Sequence, residues 1–245
     1  MTARLQPFFS FYGAKWRCAP LYPAPKHHSL IEPFAGSACY ATLYYQHAVQ
    51  LFDADPVICS VWDFLIRATD NDISAIPDWV ENINDLTGGQ EIRWLVGFWL
   101  GRGLSAPRIT ASAWKRSLHT ETNTVTEFRS SFWGPWIKNR LRKQTPLIRH
   151  WTIKQSDYSD IPNQKATWFF DPPYQGRAGK KYRYSSTKLD YSNLAKCAIS
   201  RVGQSIVCEA GTANWLPFTV LQTNKSSLRK NTNTEAMWMN EKAQD

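Results

Sequence analysis

The stretch ATWFFDPPYQG (166–176) breaks a run of apolar residues with an aspartate, two prolines and a tyrosine. The run before the acid, WFF at 168–170, is typical of a central strand that is buried on both faces of a parallel sheet. Pro173 fixes its own φ and favours an extended ψ at Pro172, and neither proline has an N–H group. The sequence therefore predicts a buried strand that ends at Asp171, with the acid at the edge of the sheet.

The residues that follow this strand could hold an amino group. The carboxylate of Asp171 and the carbonyl of Pro172 can point the same way as paired acceptors, so an amino group that donates to both keeps its lone pair out of plane. Tyr174 offers a flat face to an aromatic ring. A plain proline turn is the alternative, but average residue frequencies make a chance DPPY match roughly one in a thousand for a chain of this length.

The first part of the chain alternates between strand and helix patterns. Strands are predicted at HHSLIEPF (27–34) and VQLFDADP (49–56). Helices are predicted at GSACYATLYYQHAV (36–49) and VICSVWDFLIRA (57–68), where apolar residues recur at three- and four-residue spacing. Such a β-α-β-α order is typical of a parallel sheet with helices on its faces.

This alternation stops at Thr69, and we predict an inserted, mainly helical lobe with Gly and Pro punctuation at 69–149. A further helix is predicted at 191–202, and a polar link at 224–234 joins the last two strands. Strand patterns return at HWTIKQ (150–155), ATWFF (166–170), QSIVCE (204–209), FTVLQT (218–223) and EAMWMN (235–240). The sequence thus predicts seven strands, the last of them antiparallel.

Three acids, Glu32, Asp53 and Asp171, stand at the ends of predicted parallel strands. Ligands of open α/β sheets bind at this edge, near the point where the strand order reverses. Each acid alone could be a turn or cap residue, and for Asp53 helix capping and ribose binding are equal alternatives. EPFAGS (32–37) would let a ligand approach the backbone closely, but it is not the GxGxxG of dinucleotide enzymes. The pattern therefore favours a ligand site without favouring hydride transfer.

The chain carries a net charge of +9 with a pI near 9.4, which makes a polyanion a plausible partner. Between Gly88 and Lys154 there are twelve Lys/Arg, three acids and six of the twelve tryptophans. A basic segment is more often a solvated face than a binding site, so both interpretations stay open. We expect the tryptophans to pack in the core rather than to act as wedges.

Other features exclude several classes of protein. No segment has the roughly 18 unbroken apolar residues of a membrane helix, and the N-terminus lacks the features of a signal peptide. The cysteines are scattered, with no CxxC and no metal-like spacing to the histidines, so we expect reduced thiols, no metal and a cytoplasmic location. The cysteines are Cys18, Cys39, Cys59, Cys197 and Cys208.

FYGAK (11–15), EPFAGS (32–37) and DPPY (171–174), in this order and with an insertion before DPPY, resemble the DNA adenine-N6 methyltransferases of the Dam class. CEAGTANWLPF (208–218) and EAMWMN are similar to phage and prophage members. The resemblance covers most of the chain outside the insertion, and the block order is similar to the α-arrangement of these enzymes.

The resemblance implies a Rossmann-like, seven-stranded methyltransferase domain, formed by 1–68 and 150–245, that uses S-adenosylmethionine. It further implies that 69–149 is a target-recognition domain for double-stranded DNA. We expect a monomer or weak dimer in the cytoplasm of a bacterial or phage-infected cell. The implied activity is methyl transfer to N6 of an adenine that is flipped out of the duplex.

The family's site residues carry over by position. The implied cofactor-binding residues are Tyr12, Gly13, Lys15, Glu32, Pro33, Phe34, Gly36, Asp53, Asp157 and Tyr158. Asp53 would accept the ribose hydroxyls, and Asp157 or Tyr158 would contact the cofactor adenine. The target adenine would be held by Asp171, Pro172, Pro173 and Tyr174. Ala14 and Ala38 depart from the family, since many relatives have glycine there, and each adds a methyl group near the cofactor.

Basic residues of the insertion, and loop 175–188 with five positive charges and no acid, would contact DNA backbone. A solvated loop is the alternative, but the position directly after Tyr174 favours DNA contact. The DNA-binding candidates are Arg93, Arg102, Arg116, Lys138, Arg140, Lys180 and Lys181, with Arg108, Lys115, Arg129, Arg142 and Lys143 as further candidates and the Lys225–Lys230 link as a weaker one.

Two other functions remain open on the sequence. One is a nucleic-acid-binding protein that keeps the scaffold without catalysis, against which the intact Asp53, Asp171 and Tyr174 argue. The other is a methyltransferase for cytosine N4, RNA or a protein amide. Serine is more frequent at position 171 in cytosine-N4 enzymes and asparagine in protein-glutamine enzymes, so the aspartate favours adenine.

Overall fold

The computed structural model describes residues 4–117, 131–225 and 232–243. Within these ranges seven strands form one sheet, in the order β3-β2-β1-β4-β5-β7-β6. The strands are β1 (Ser29–Glu32), β2 (Ala48–Asp53), β3 (Thr152–Gln155), β4 (Ala166–Phe170), β5 (Gly203–Ala210), β6 (Thr219–Lys225) and β7 (Thr232–Lys242). Every predicted strand is present with its ends within three residues, so the α/β class and the strand count are confirmed.

The sheet is mixed, because β1 to β5 pair in parallel whereas β7 is antiparallel to both β5 and β6. The predicted antiparallel last strand is confirmed. From β1 the chain moves outwards through β2 to β3 and then returns to the other side of β1 as β4. The order 3-2-1-4-5 is that of a Rossmann-like sheet, and its reversal between β1 and β4 is where such folds bind ligands.

The strand directions bring several acids to one edge of the sheet. β1 ends at Glu32, β2 ends at Asp53, and Asp171 follows β4 directly, so all three lie at the carboxyl edge. Since β7 is antiparallel, its first residues lie at this same edge. Glu235 of β7 pairs with Ala210, the last residue of β5.

The α-helices are α1 (Cys39–Leu43), α2 (Pro56–Arg67), α3 (Asp70–Ser74), α4 (Gln90–Phe98), α5 (Ala113–Ser117), α6 (Pro135–Gln144) and α7 (Tyr191–Ser200). The start of α2 follows from the sequence, since Asp55 accepts a hydrogen bond from the Val57 amide at 3.0 Å and Pro56 stands in the first turn. Asp190 caps α7 in the same way. Both helices confirm the predicted segments.

Helix α1 is much shorter than the predicted helix at 36–49. It starts late because Gly36 and Ala38 have left-handed φ angles of 43° and 46°, which form a turn rather than helix. It ends early because the chain turns back towards β2, with the amide of His47 donating to the carbonyl of Tyr44 at 3.0 Å. The late start places a tight turn between β1 and α1, at the edge where the acids meet.

Two apolar clusters cover the two faces of the sheet. Phe169 belongs to the first cluster, whereas Trp168 and Phe170 belong to the second, so β4 is buried on both faces as predicted. The second cluster is closed by α7 through Leu194 and Ala198. The central strand that ends at the DPPY segment is therefore held from both sides.

The described part of 69–149 is built from α3 to α6, with 3-10 helices at Ile83–Asp85 and Thr145–Ile148. It shares the first cluster with the sheet: Phe98 stacks on Phe9 at 5.0 Å, and the Trp99 indole donates to the Phe8 carbonyl at 3.1 Å. The segment thus packs directly on the sheet domain. Its role in target recognition stays a prediction.

The six tryptophans between Gly88 and Lys154 differ in burial, and Trp94 is intermediate. Trp99, Trp133 and Trp151 are buried in the core, in agreement with the predicted packing role. Trp114 and Trp136 are exposed, at 45% and 59% of their surface. Packing thus accounts for only part of this aromatic content.

Candidate active site

A cleft lies at the carboxyl edge of the sheet, beside the ends of β1, β2 and β4. Its empty space, including the part open to solvent, is about 1070 Å³. It is lined by the N-terminal block 11–15, the turn 32–40 after β1, the residues 53–55 after β2 and the segment 156–158 after β3. A cleft at the switch point of an open α/β sheet is where a small-molecule site is expected.

The cleft brings together every residue that was assigned to the cofactor. Asp171 and Pro173 also line it, whereas Pro172 and Tyr174 do not. Pro172 is buried, and Tyr174 turns its side chain inwards against the first apolar cluster. The cofactor residues that line the cleft are Tyr12, Gly13, Lys15, Glu32, Pro33, Phe34, Gly36, Asp53, Asp157 and Tyr158.

Asp53 organises the turn at the bottom of the cleft. One of its carboxylate oxygens accepts the Gly36 amide at 3.0 Å, and the other accepts the Asp55 amide at 2.9 Å. Burial raises the pKa of Asp53 to about 6, although these amide hydrogen bonds oppose the shift. A carboxylate has about four acceptor positions, so two remain for ligand hydroxyls. Capping and ligand binding are thus compatible at this residue.

Glu32 is almost completely buried, at 2% exposed, and its Oε1 accepts the Ala41 amide in the first turn of α1 at 2.6 Å. Burial raises its pKa well above the usual range, and the charge of Asp171 acts in the same direction. Glu32 therefore ties α1 to the end of β1 while one edge of it faces the cleft.

Asp171 forms an ion pair with Lys15 across the inner end of the cleft, with 3.1 Å between Nζ and Oδ1. The ammonium group also donates to the Gly13 carbonyl at 3.0 Å and lies 4.3 Å from the centre of the Tyr174 ring. Burial alone would lower the pKa of Lys15, but the carboxylates of Asp171 and Glu235 outweigh it and raise the pKa. Lys15 is therefore a fixed positive charge.

Burial raises the pKa of Asp171 to about 6, because its desolvation outweighs the opposing charge of Lys15. The negative charge of Glu235 adds to this increase. With a pKa of about 6, Asp171 takes up a proton in mildly acid solution; such a raised pKa is common for carboxylates at functional sites.

Tyr174 is held by a residue that the sequence patterns did not identify. Its hydroxyl donates to Oε1 of Glu235, and the hydroxyl of Tyr22 donates to the same oxygen. Tyr22 packs edge-on against Phe169, with 5.2 Å between ring centres. Glu235 was predicted only as part of a strand. The available signal was its position at the start of the antiparallel strand, which returns to the carboxyl edge.

The segment after β3 forms a flat apolar wall. The ring of Tyr158 stacks on Phe34 with 5.4 Å between centres and 27° between planes. Asp157 is exposed, and its carboxylate accepts the amide and the hydroxyl of Ser159 at 2.9 and 2.7 Å. Such a wall next to a carboxylate suits an aromatic ring with polar edge atoms.

Loop 175–188 covers one side of the cleft. The hydroxyl of Tyr182 donates to the Tyr12 carbonyl at 3.1 Å, and Arg183 forms an ion pair with Asp55 at 3.3 Å. Gly13 is required here, because its φ is 74° and an added Cβ would lie 2.1 Å from the Tyr182 hydroxyl. In this structure the loop therefore packs on the cleft. Its contact with the DNA backbone stays a prediction.

Ala14 and Ala38, the two departures from the family pattern, both line the cleft. Ala14 is exposed, whereas Ala38 is buried and has a left-handed φ of 46°. The methyl group of Ala38 thus sits where the backbone favours glycine, at a cost of about 1–2 kcal/mol.

The lining of the cleft is acidic although the protein is basic. Among the described residues, five acids and three cations line it. The acids are Glu32, Asp53, Asp55, Asp157 and Asp171, and the cations are Lys15, Arg183 and Lys188. Such an excess of carboxylates favours a ligand with positive charge.

Several of the predicted DNA-binding cations have partners within the protein. Arg116 pairs with Glu81, Lys138 with Asp78, and Arg142 with Asp70. Lys115 is buried over the Trp79 ring, and burial lowers its pKa to about 8. Arg93 and Arg140 each donate to a backbone carbonyl, those of Leu86 and Pro7 respectively.

The remaining candidates are more accessible. Arg102, Arg108 and Lys143 are exposed, and Arg102 lies 5.0 Å from the Trp114 ring. Lys180 and Lys181 are exposed on the 3-10 helix Gly179–Lys181, beside the cleft. Arg129 and all but the first residue of the Lys225–Lys230 link lie outside the described residues. DNA contact stays a prediction for all of these residues.

The described ranges contain no group of three or more His, Cys, Asp or Glu side chains that could hold a metal ion. Nor does any helix in the described parts of the chain have the length and apolar character needed to cross a membrane. All five cysteines lie in the described ranges and are free thiols.

A scan against protein-family models and a search of curated proteins both found no match for this chain.

Proposed function

We propose that the protein is a DNA methyltransferase that transfers a methyl group from S-adenosylmethionine to N6 of a flipped-out adenine. The observation that carries the proposal is the meeting of four sequence blocks in one acidic cleft at the switch point. FYGAK (11–15), EPFAGS (32–37), FDADP (52–56) and DPPY (171–174) all contribute residues to its lining. Distant blocks that converge on one ligand-sized cleft support a functional site rather than separate turns.

The donor set of the cleft fits S-adenosylmethionine. The sulfonium and amino groups of S-adenosylmethionine are cationic and suit a lining rich in carboxylates. Asp53 would accept the ribose hydroxyls with its two remaining acceptor positions, and the Phe34–Tyr158 wall would receive the adenine ring. When bound, the cofactor supplies an activated methyl group.

Asp171 would orient the target amine. Its carboxylate would accept one amino hydrogen of the adenine. The Pro172 carbonyl would accept the other once Pro172, which is buried and does not line the cleft, is uncovered as the adenine enters. The lone pair of that nitrogen is conjugated with the ring and poorly nucleophilic. Acceptors that bind more strongly as positive charge develops on the nitrogen stabilise the transition state selectively. Asp171 thus acts by orientation and electrostatics.

Lys15 must change partners during this reaction. Its ammonium group donates to Asp171 and lies over the Tyr174 ring. In the proposed complex the amino group of the target adenine would donate to Asp171 instead, and the adenine ring would stack on Tyr174. Entry of the adenine therefore requires Lys15 to shift, with the Gly13 carbonyl as its remaining acceptor. An ion pair at this position also keeps a partly buried carboxylate compensated until the base arrives.

The proposal is tested by transfer of tritium from labelled S-adenosylmethionine to duplex DNA, followed by separation of the nucleosides. We expect label in N6-methyladenine with the wild-type protein, and none with Asp171→Ala. Asp160→Ala is the matched control, since Asp160 is an exposed acid outside the cleft.

Other outcomes identify the alternatives. Label in N4-methylcytosine, in RNA or in protein would change the substrate class. No transfer, with equal DNA binding by wild type and Asp171→Ala, would favour a binding protein without catalysis and would contradict the proposal.

A further inference from the structure

The antiparallel strand β7 brings a carboxylate to the inner side of the site. Glu235 lies near the start of β7, opposite Ala210 at the end of β5. It does not line the cleft, but Tyr174 and Tyr22 both donate their hydroxyl hydrogens to its Oε1. A single oxygen therefore links the DPPY segment to the segment that precedes β1.

This contact determines where the Tyr174 ring can lie. The neighbouring Asp171 and Pro173 line the cleft, whereas Tyr174 points towards β7 and is fixed at its hydroxyl end. Its ring contacts the Lys15 ammonium, at 4.3 Å from the ring centre. Burial raises the pKa of Tyr174 well above the usual range, so the hydroxyl remains a donor at neutral pH.

Glu235 also acts on the ion pair. Its charge helps to keep Lys15 protonated and makes the ionised form of Asp171 less favourable. The positive charge of Lys15 thus interacts with two negative charges, those of Asp171 and Glu235, and the Tyr174 ring packs against the Lys15 ammonium group.

We infer that Glu235 is a positioning residue of the site: it fixes the Tyr174 ring through the hydroxyl hydrogen bond and sets the charge balance that Lys15 and Asp171 experience. This inference rests on the proposed function for its catalytic consequence. The hydrogen-bond contact itself can be tested without catalysis.

Glu235→Gln tests the inference, because a neutral amide oxygen accepts the two tyrosine hydroxyls more weakly than a carboxylate does and carries no charge. We expect kcat for methyl transfer to fall about ten- to a hundredfold, as for small displacements of reacting groups. The KM for S-adenosylmethionine should stay within about twofold, since Glu235 does not line the cleft. Glu241→Gln is the matched control: it lies on the same strand, exposed and paired with Lys26, and should leave kcat unchanged.

The pH dependence of the methyl-transfer rate distinguishes a positioning role of Glu235 from a general loss of structure in the variant. Asp171 must be ionised to accept the amino hydrogens, so the rate falls as pH drops through its pKa. Removing the charge of Glu235 lowers that pKa, so the acid limb should move to lower pH in Glu235→Gln. Tyr174→Phe removes the hydroxyl but keeps the charge, so it should lower kcat and leave the limb in place. The other charged or titratable groups that act on Asp171 or respond to its charge are Lys15, Cys18, Glu32, Cys39, Tyr174, Tyr182, Cys208 and Glu209.

Carbon-13 NMR of the tyrosine Cζ atoms tests the contact without any substrate. The signals of Tyr174 and Tyr22, assigned with the Phe variants, should both shift in Glu235→Gln and stay in place in Glu241→Gln. If the Tyr174 signal is unchanged, or if kcat and the acid limb match those of Glu241→Gln, the inference is wrong. A wild type that shows no methyl transfer contradicts the proposed function instead, and the NMR result then decides on the contact.

Discussion

The cleft at the carboxyl edge is acidic in a basic protein, whereas the segment 69–149 is basic and neutralises part of its charge internally. In the cleft, Asp171 pairs with Lys15 and Asp55 with Arg183, whereas Asp53 and Asp157 face the empty space with no ion pair among the described residues. In the segment, Arg116, Lys138 and Arg142 each pair with a nearby acid. Net charge alone therefore does not locate a site, because what matters is which charges are left facing a ligand.

The largest effect should come from Asp171, the acid that follows β4 and lines the cleft. Asp171→Asn keeps the shape of the side chain but removes its negative charge. The attraction between that charge and the amine grows as the amine becomes positive in the transition state. We expect methyl transfer to fall about a hundredfold or more, as when one preorganised group is removed from an active site. Single-turnover kinetics with labelled cofactor measure this loss.

Asp160→Asn is the control and should keep full activity, since its carboxylate is outside the cleft. Equal activity of Asp171→Asn and wild type would contradict the claim that the acid in the cleft, unlike an acid elsewhere on the surface, contributes to methyl transfer.

The next effect concerns cofactor affinity. Asp53→Ala removes two backbone hydrogen bonds and both of the remaining acceptor positions. Hydrogen bonds to charged groups contribute about 1.5–3 kcal/mol, so we expect S-adenosylmethionine to bind about ten- to a hundredfold more weakly by calorimetry. Asp85→Ala changes an exposed acid of the segment 69–149 and should leave the affinity unchanged. Unaltered binding in Asp53→Ala would show that the cofactor does not use this end of the cleft.

Alanine variants of two glycines, Gly13 and Gly103, distinguish the effect of backbone strain from the effect of displacing the loop that covers the cleft. Gly13 and Gly103 both have left-handed φ angles, but an added Cβ meets the Tyr182 hydroxyl at Gly13 and open space at Gly103. Strain of about 1–2 kcal/mol is common to both alanine variants. We expect only Gly13→Ala to displace loop 175–188, and so to increase the dissociation rate of the cofactor several-fold in stopped-flow experiments. Similar rates in the two variants would mean that the loop contributes nothing to retention.

The smallest effects should come from the cations. Lys180 and Lys181 are exposed beside the cleft, so the double alanine variant should weaken DNA binding and reduce the slope of log K against log salt by roughly two. Arg142 is already paired with Asp70, so Arg142→Ala should change DNA affinity less than about twofold and cost under about 1 kcal/mol of stability. Equal losses in both variants would contradict the division between exposed cations beside the cleft and cations paired with an acid.

Much of the cleft could be predicted because its residues stand at strand ends. A strand pattern fixes where the chain reaches the carboxyl edge, and the parallel order then brings Glu32, Asp53 and Asp171 together without any knowledge of packing. The short α1 could not be predicted, since a left-handed φ at Ala38 has no signal in an alanine.

What escaped prediction depends on tertiary contacts between distant segments. Glu235 reaches Tyr174 across 61 positions of sequence, and the partners of Arg116 and Arg142 lie 35 and 72 positions away. Charge counts do not encode such pairings. The tryptophans divide in the same way, because whether Trp99 is buried or Trp136 exposed is set by how the helices pack.

A crystal structure with S-adenosylhomocysteine tests most directly whether the acidic cleft is the methyl-donor site. We predict that the ribose hydroxyls lie within hydrogen-bond distance of Asp53, that the adenine lies against Phe34 and Tyr158, and that the sulfur faces Asp171. A ligand bound outside the cleft, or bound in reverse with its ribose beside Asp171, would contradict the account.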